Sequence, residues 1–153
     1  MNSSKKTKNK LESYHVGLLQ AKAYRLLKSE TNDALESFNI TATDWAILGA
    51  LERAEEPLLF GDLATSVGVT APRITIVVSK LKARGWITIK VDPDDNRRKY
   101  VTLSKKGKDF VKTTEKHVQT EMKNFFADMS AKDVESYFKV LEHLTNRQKE
   151  SRE

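Results

Sequence analysis

Leu63-Ala64-Thr65-Ser66-Val67-Gly68-Val69-Thr70-Ala71-Pro72-Arg73-Ile74-Thr75-Ile76-Val77-Val78-Ser79-Lys80-Leu81 fixes the architecture of the chain. Two short helices crossing at a tight turn need a small residue where they touch, and Ala64 supplies it. The turn needs a residue that tolerates positive φ, and Gly68 supplies that. Leu63, Val67, Val69, Ile74 and Val77 flank both and fill the wedge between them. This is helix-turn-helix spacing. Thr70 stands at the N-cap of the second helix. Pro72 is tolerated in its first turn, where the amides have no intrahelical partner. The helix should run to Arg84, with Gly85 ending it. Ile74, Val77, Val78 and Leu81 form its core face, leaving Thr70, Arg73, Thr75, Ile76, Ser79 and Lys80 as candidates for an outward, reading face.

Downstream the period changes from helical to two. Trp86, Ile87, Ile89 and Val91 read as one strand, and Lys99–Leu103 as another. Asp92-Pro93-Asp94-Asp95-Asn96 between them is a turn cluster, so the pair reads as a hairpin. Arg97, Arg98 and Lys99 make that turn basic. A helix in the major groove beside an arginine-tipped hairpin in the neighbouring minor groove is a coherent reader of DNA. Ser104 caps a following helix with the stripe Val111, Val118, Met122, Phe125 and Met129. Ser130, with Asp133 three residues on, starts a last helix striped by Val134, Tyr137, Phe138, Leu141 and Leu144.

Upstream, Leu11, Tyr14, Leu18, Leu26, Leu27, Ala34, Leu35 and Phe38 fall at helical spacing. They predict one long helix, or two with a break near Thr31–Asp33. Thr41 or Thr43 caps the next helix, whose apolar face is Trp45, Ile47, Leu48 and Leu51 and which Pro57 stops. Leu58–Phe60 is a short connecting segment, and a helix follows around Gly61–Ser66. Residues 1–10 are polar and lysine-rich and read as a mobile arm.

The net charge of +6 is unevenly placed in these 153 residues. Residues 11–69 hold four basic and nine acidic side chains, and residues 109–153 hold eight and nine. Residues 70–108 hold eleven basic and three acidic side chains, the footprint expected opposite a polyanion. The chain has no cysteine, so disulfides, cysteine-ligated zinc and thiol redox sensing are excluded. His15, His117 and His143 lack paired spacing, and neither a metal nor any other cofactor is called for. The chain carries no P-loop, GxGxxG or HExxH motif and no cysteine nucleophile, so no catalytic residue is assigned and an enzyme is not expected. Its start lacks an apolar segment of secretory type and its apolar runs are too short to span a bilayer. The expectation is a cytoplasmic protein with no membrane partner.

Residues 57–107 resemble the MarR family of bacterial regulators. The likeness is carried by Leu63-Ala64 through Gly68-Val69-Thr70, Thr75, and Leu81-Lys82-Ala83-Arg84-Gly85-Trp86-Ile87. It continues through Asp92-Pro93-Asp94-Asp95-Asn96-Arg97-Arg98 and Val101-Thr102-Leu103-Ser104-Lys105-Lys106-Gly107. The family's Asp-x-Arg pair falls on Asp95 and Arg97; by resemblance Arg97 enters the minor groove and Asp95 braces the wing. Two positions depart from the family pattern: Ile76 stands where a basic residue is common, and so does Ile89. The resemblance implies a mainly α fold with a small β-hairpin: a winged helix-turn-helix flanked by N- and C-terminal dimerisation helices. It divides the chain into a basic arm (1–10), an N-terminal dimerisation region (11–40), a DNA-binding domain (41–107) and C-terminal dimerisation helices (108–153). The DNA-binding set is Thr70, Arg73, Thr75, Ile76, Ser79, Lys80, Arg97, Arg98 and Lys99. Trp45 lies beside the family's ligand pocket, with Tyr14, His15 and Tyr24 as further lining candidates. The implied partners are double-stranded DNA carrying a pseudo-palindromic operator, a second copy of the chain, and a small aromatic or phenolic ligand. The alternative is a winged-helix or architectural DNA-binding protein that acts without a ligand.

The charge placement sets a measurable expectation. If roughly three to five side chains per subunit of a dimer neutralise phosphates, about six to ten counterions are released, and the log–log salt slope of DNA binding is on the order of −5 to −9. Half-site centres should lie about 10 base pairs apart. Fluorescence anisotropy across a salt series checks this; a slope shallower than about −2 contradicts a dimeric groove reader.

Overall fold

The computed structural model describes residues 12–150. The lysine-rich arm 1–10 and Leu11 lie outside the described residues. The elements are α1 (Ser13–Leu35), a 3-10 turn (Glu36–Phe38), α2 (Ala42–Arg53), β1 (Leu58–Leu59), α3 (Phe60–Val67) and α4 (Ala71–Ala83). They continue with β2 (Ile87–Val91), β3 (Lys99–Leu103), α5 (Lys105–Phe125) and α6 (Ala131–Glu150).

Caps set these boundaries. Thr41, not Thr43, begins α2: its hydroxyl accepts from the Asp44 amide while the Asp44 carboxylate accepts from the Thr41 amide, a reciprocal capping box. Ser104 begins α5 by accepting from the Gly107 amide at 3.0 Å. Ser130 accepts from the Asp133 amide at the start of α6, as the Ser-x-x-Asp spacing predicts. Thr70 occupies the N-cap position of α4 but its side chain makes no capping bond, so there the local sequence signal is not used.

Of the two readings offered for the N-terminal segment, one long helix is the one observed: α1 runs unbroken through Thr31–Asp33. Thr31 bonds back to the Leu27 carbonyl at 2.7 Å, and the Asn32 side chain accepts from the Ala42 amide at 2.7 Å. Thr31 thus bonds within α1, and Asn32 fastens the helix to the start of α2. α2 ends at Arg53, ahead of Pro57, because Ala54 already turns extended. The hairpin is also more than a hairpin. β1 pairs antiparallel with β3 (Leu58 opposite Val101, Leu59 opposite Tyr100), so the sheet order is β1-β3-β2. A two-residue strand is too short to show a period of two, which is why its pattern was invisible.

Leu35, Ile47, Leu48, Leu63, Ile74, Val78, Leu81 and Val101 are the fully enclosed centre of one core joining α1's end, α2, α3, α4 and the sheet. Gly68, at φ +72, ends α3 and lets α4 leave at the tight turn. The Val69 amide reaches back to the Ala64 carbonyl at 3.0 Å, closing the helix end. Trp86 then joins this core to α5, its ring stacked on Phe110 with centroids 3.8 Å apart.

Gly107 makes that joint possible. A Cβ on it would stand 1.9 Å from the Trp86 carbonyl oxygen, an impossible contact with backbone. Gly107→Ala should therefore push α5 off β2, at a cost of about 3 kcal/mol or more for an overpacked rigid contact. Gly61→Ala is the matched control: it meets nothing within 4 Å, and Ala is favoured over Gly in a helix by about 1 kcal/mol. Thermal denaturation should lower the melting temperature of the first by roughly 10 °C and leave the second equal or higher.

Candidate nucleic-acid interface

α4 buries Ile74, Val77, Val78 and Leu81, as the apolar spacing requires, and turns Arg73, Thr75, Ile76, Ser79 and Lys80 outward. Thr70, just before it, is also exposed. The outward polar side chains are not equally free. Thr75 donates to the Ala71 carbonyl at 3.1 Å, and Ser79 donates to the Thr75 carbonyl at 2.8 Å. Lys80 donates to the Asp44 carboxylate at 2.6 Å. Arg73 has no side-chain partner among the described residues, and Ile76 is 64% exposed.

Asp44 is the polar centre behind this face. It is 2% exposed, yet it carries charge-assisted bonds from Lys80 and from the Thr41 amide. Burial pushes its carboxyl up, but the Lys80 and Thr41 hydrogen bonds outweigh it and hold the group below the ordinary carboxylate value. Sequence reading missed this residue as part of the site. The Thr41-x-x-Asp44 spacing would have marked its capping role, but no local signal links it to Lys80. Arg84, also missed, crosses from the end of α4 to the carbonyls of Phe38 and Asn39 and covers the Trp86 ring at 4.8 Å.

The hairpin between β2 and β3 is braced from within. Asp92 accepts from the Asp94 amide at 2.9 Å and from the Tyr100 hydroxyl at 3.3 Å. The Asp94 amide, the Tyr100 hydroxyl and nearby Arg98 hold the Asp92 carboxyl below its ordinary range. Asp95 accepts from the Arg97 amide at 2.9 Å, so the aspartate braces the turn. The two arginines then differ. Arg98 folds back, 3.9 Å from Asp92 and over the Tyr100 ring. Arg97 has no side-chain partner among the described residues and projects from the turn with exposed Lys99 nearby.

Trp45 is half-buried in a cavity of about 850 Å³ with Leu27, Met122, Phe126 and Phe138, between α1, α2, α5 and α6. A second cavity of about 560 Å³ joins Trp45 to Tyr24 and Arg73. Tyr14 and His15 line neither. Tyr14 lies about 20 Å along α1 from Leu27 at the helical rise, is 78% exposed, and donates to Glu12. Within one chain, these two residues are thus not brought to Trp45. Among the described residues no cluster of three or more His, Asp or Glu could hold a metal ion. No helix there is long and apolar enough to cross a membrane.

The Asp44 carboxylate gives a pH expectation. Its folded value is depressed, so its contribution is present above the unfolded value of about 3.9 and is lost as pH falls through the folded value. Asp44→Asn should cost roughly 1–3 kcal/mol at pH 7, and its urea midpoint should fall less steeply than wild type below pH 4. Parallel acid limbs for the two proteins would contradict the assignment.

This chain matches the model described as MarR family over residues 38–98. It is 31% identical over 102 residues to the HTH-type transcriptional regulator FarR of Neisseria gonorrhoeae, spanning 66% of this chain and 67% of that one. A MarR-family transcriptional regulator from Rhodococcus sp. RHA1 shares the fold at TM-score 0.81, with 18% identity over 89% of this chain and 96% of that one. BpsR of Bordetella bronchiseptica, whose DNA binding is regulated by 6-hydroxynicotinic acid, shares it at TM-score 0.76, with 21% identity over 86% and 98%. The matched segment runs from the end of the 3-10 turn after α1 to Arg98 in the hairpin, and these likenesses agree with the winged architecture: the chain belongs to the MarR family of transcriptional regulators.

Proposed function

We propose that the chain works as a homodimeric repressor that occupies a pseudo-palindromic operator and is released by a small aromatic acid or phenol. The observation that carries the DNA reading is the contrast at the wing: Asp92 draws Arg98 inward and Asp92 and Asp95 accept from turn amides, while Arg97 has no side-chain partner among the described residues. α4 enters the major groove with Arg73 and Ile76 outward, flanked by Thr70, Thr75 and Ser79, and Arg97 enters the minor groove. Lys99 adds phosphate contact. Lys80, held by Asp44, sets the pose of α4 rather than searching for bases.

The dimer reading rests on the outer helices. No described side chain of α6 is fully buried, and Phe138, Val140 and Leu144 are 43–57% exposed. α1 buries only Ala34 and Leu35 and exposes Leu18, Leu19, Tyr24 and Leu26. Two long helices with uncovered apolar faces fit a second copy, which supports the division into dimerisation regions (11–40 and 108–153) and a DNA-binding domain (41–107). The ligand reading rests on the apolar cavity at Trp45, set between these stems and α2. The aromatic acid that regulates BpsR supports the same chemical class here. Tyr14 and His15 would reach such a ligand only from the partner copy.

Light scattering at micromolar concentration should give a dimer mass, and Arg97→Ala should keep that mass while losing about 1–3 kcal/mol of operator binding per lost contact. Wild-type affinity in that variant removes the wing from the model. Saturating aromatic acid should raise the melting temperature and weaken operator binding; a ligand at 100 times its Kd stabilises the native state by about 2.7 kcal/mol. No shift with any aromatic acid or phenol favours regulation without a ligand.

A further inference from the structure

The exposed large apolar side chains of the described residues fall almost entirely on α1, on α6 and on Met129 between α5 and α6. Ile76, on α4, and Val91, at the end of β2, are the exceptions. A second copy covers the first group in the dimer reading. Ile76 has no such cover. It is 64% exposed in the middle of α4's outward face, one turn beyond Arg73.

A single exposed apolar residue is ordinary on a protein surface. What distinguishes Ile76 is the state of its neighbours. The hydroxyls of Thr75 and Ser79 are turned back onto helix carbonyls, and the Lys80 ammonium is on Asp44. Between Arg73 and Lys80, the outward face therefore offers one branched hydrocarbon surface in place of free donors. β-branching makes isoleucine a poorer residue than alanine for a solvated helix position, so local stability does not account for it. The major groove has one apolar feature that such a side chain can read, the C5-methyl of thymine, which also separates thymine from cytosine.

We propose that Ile76 is a specificity-determining residue of this chain that packs on the 5-methyl group of one thymine in each half-site. This rests on the reading that α4 lies in the major groove. The Asp44–Lys80 bond supports the contact indirectly: it fixes the rotation of α4, so that Ile76 meets the base edge and Lys80 does not compete for it.

The test uses the full chain and duplexes selected by it from a randomised pool. Each thymine of the selected half-site is replaced in turn by deoxyuridine, which removes only the methyl group. Wild type should lose about fourfold in affinity at one thymine per half-site, the worth of one buried methyl-sized group. Ile76→Ala should weaken binding by a similar factor and become indifferent to deoxyuridine at that position alone. Ile76→Val should keep most of the discrimination. The alanine variant should melt no lower than wild type, which separates a reading role from a structural one. Specific binding with no deoxyuridine-sensitive thymine, or an alanine variant that keeps the full penalty, would overturn the assignment to Ile76 while leaving the groove reading intact. A pool that yields no preferred sequence would overturn the groove reading itself and this proposal with it.

Discussion

The joint between α4, the sheet and α5 is built around the indole ring of Trp86. α4 ends just before it, β2 begins just after it, and its ring lies flat on Phe110 of α5. Its carbonyl accepts from the Ser104 amide at 2.9 Å, and Gly107 leaves room for that approach. Arg84 covers the ring and reaches on to the turn after α1, where Phe38 packs edge-on to Phe110. One stacked pair therefore fixes α4, the sheet, α5 and the end of α1 relative to each other. Stacked aromatic pairs stabilise by about 0.5–1.5 kcal/mol beyond their buried area, but the larger consequence is geometric.

Asp44 supplies a second tie, of a different kind. A buried carboxylate is costly unless its lone pairs are taken, and here a cap amide and a lysine take them. The bond couples the start of α2 to the outward face of α4. Trp45 follows Asp44 directly and lines the cavity between the stems and this lobe. The cavity lining therefore lies one residue away from the carboxylate that is bonded to α4.

The wing shows how charge is sorted by geometry. Adjacent arginines in sequence point to different tasks because Asp92 and Tyr100 draw Arg98 inward and Asp95 spends itself on the backbone. The acidic residues of the turn thus organise the tip without cancelling Arg97. The same sorting occurs on α4, where Lys80 is drawn to Asp44 and Arg73 is not.

The sequence by itself determined the elements that rest on local physics. Gly68 and Gly85 mark places where φ must be positive, Ser104 and Ser130 mark helix starts, and the switch to a period of two marks β2 and β3. Apolar spacing also gave the buried face of α4 residue by residue. Only the tertiary structure decided which polar residues are free, because that depends on partners far along the chain. Lys80 and Asp44 are 36 residues apart; neither neighbourhood announces the other. Asn32 likewise accepts from the Ala42 amide, ten residues on, in an α1 that runs unbroken through Thr31–Asp33. β1 was too short to carry a pattern and exists because β3 has an edge to pair with. Tyr14 and His15, candidates through the family resemblance, do not line the cavity at Trp45 within one chain, because the helix that carries them separates them from its lining residue Leu27 by about 20 Å.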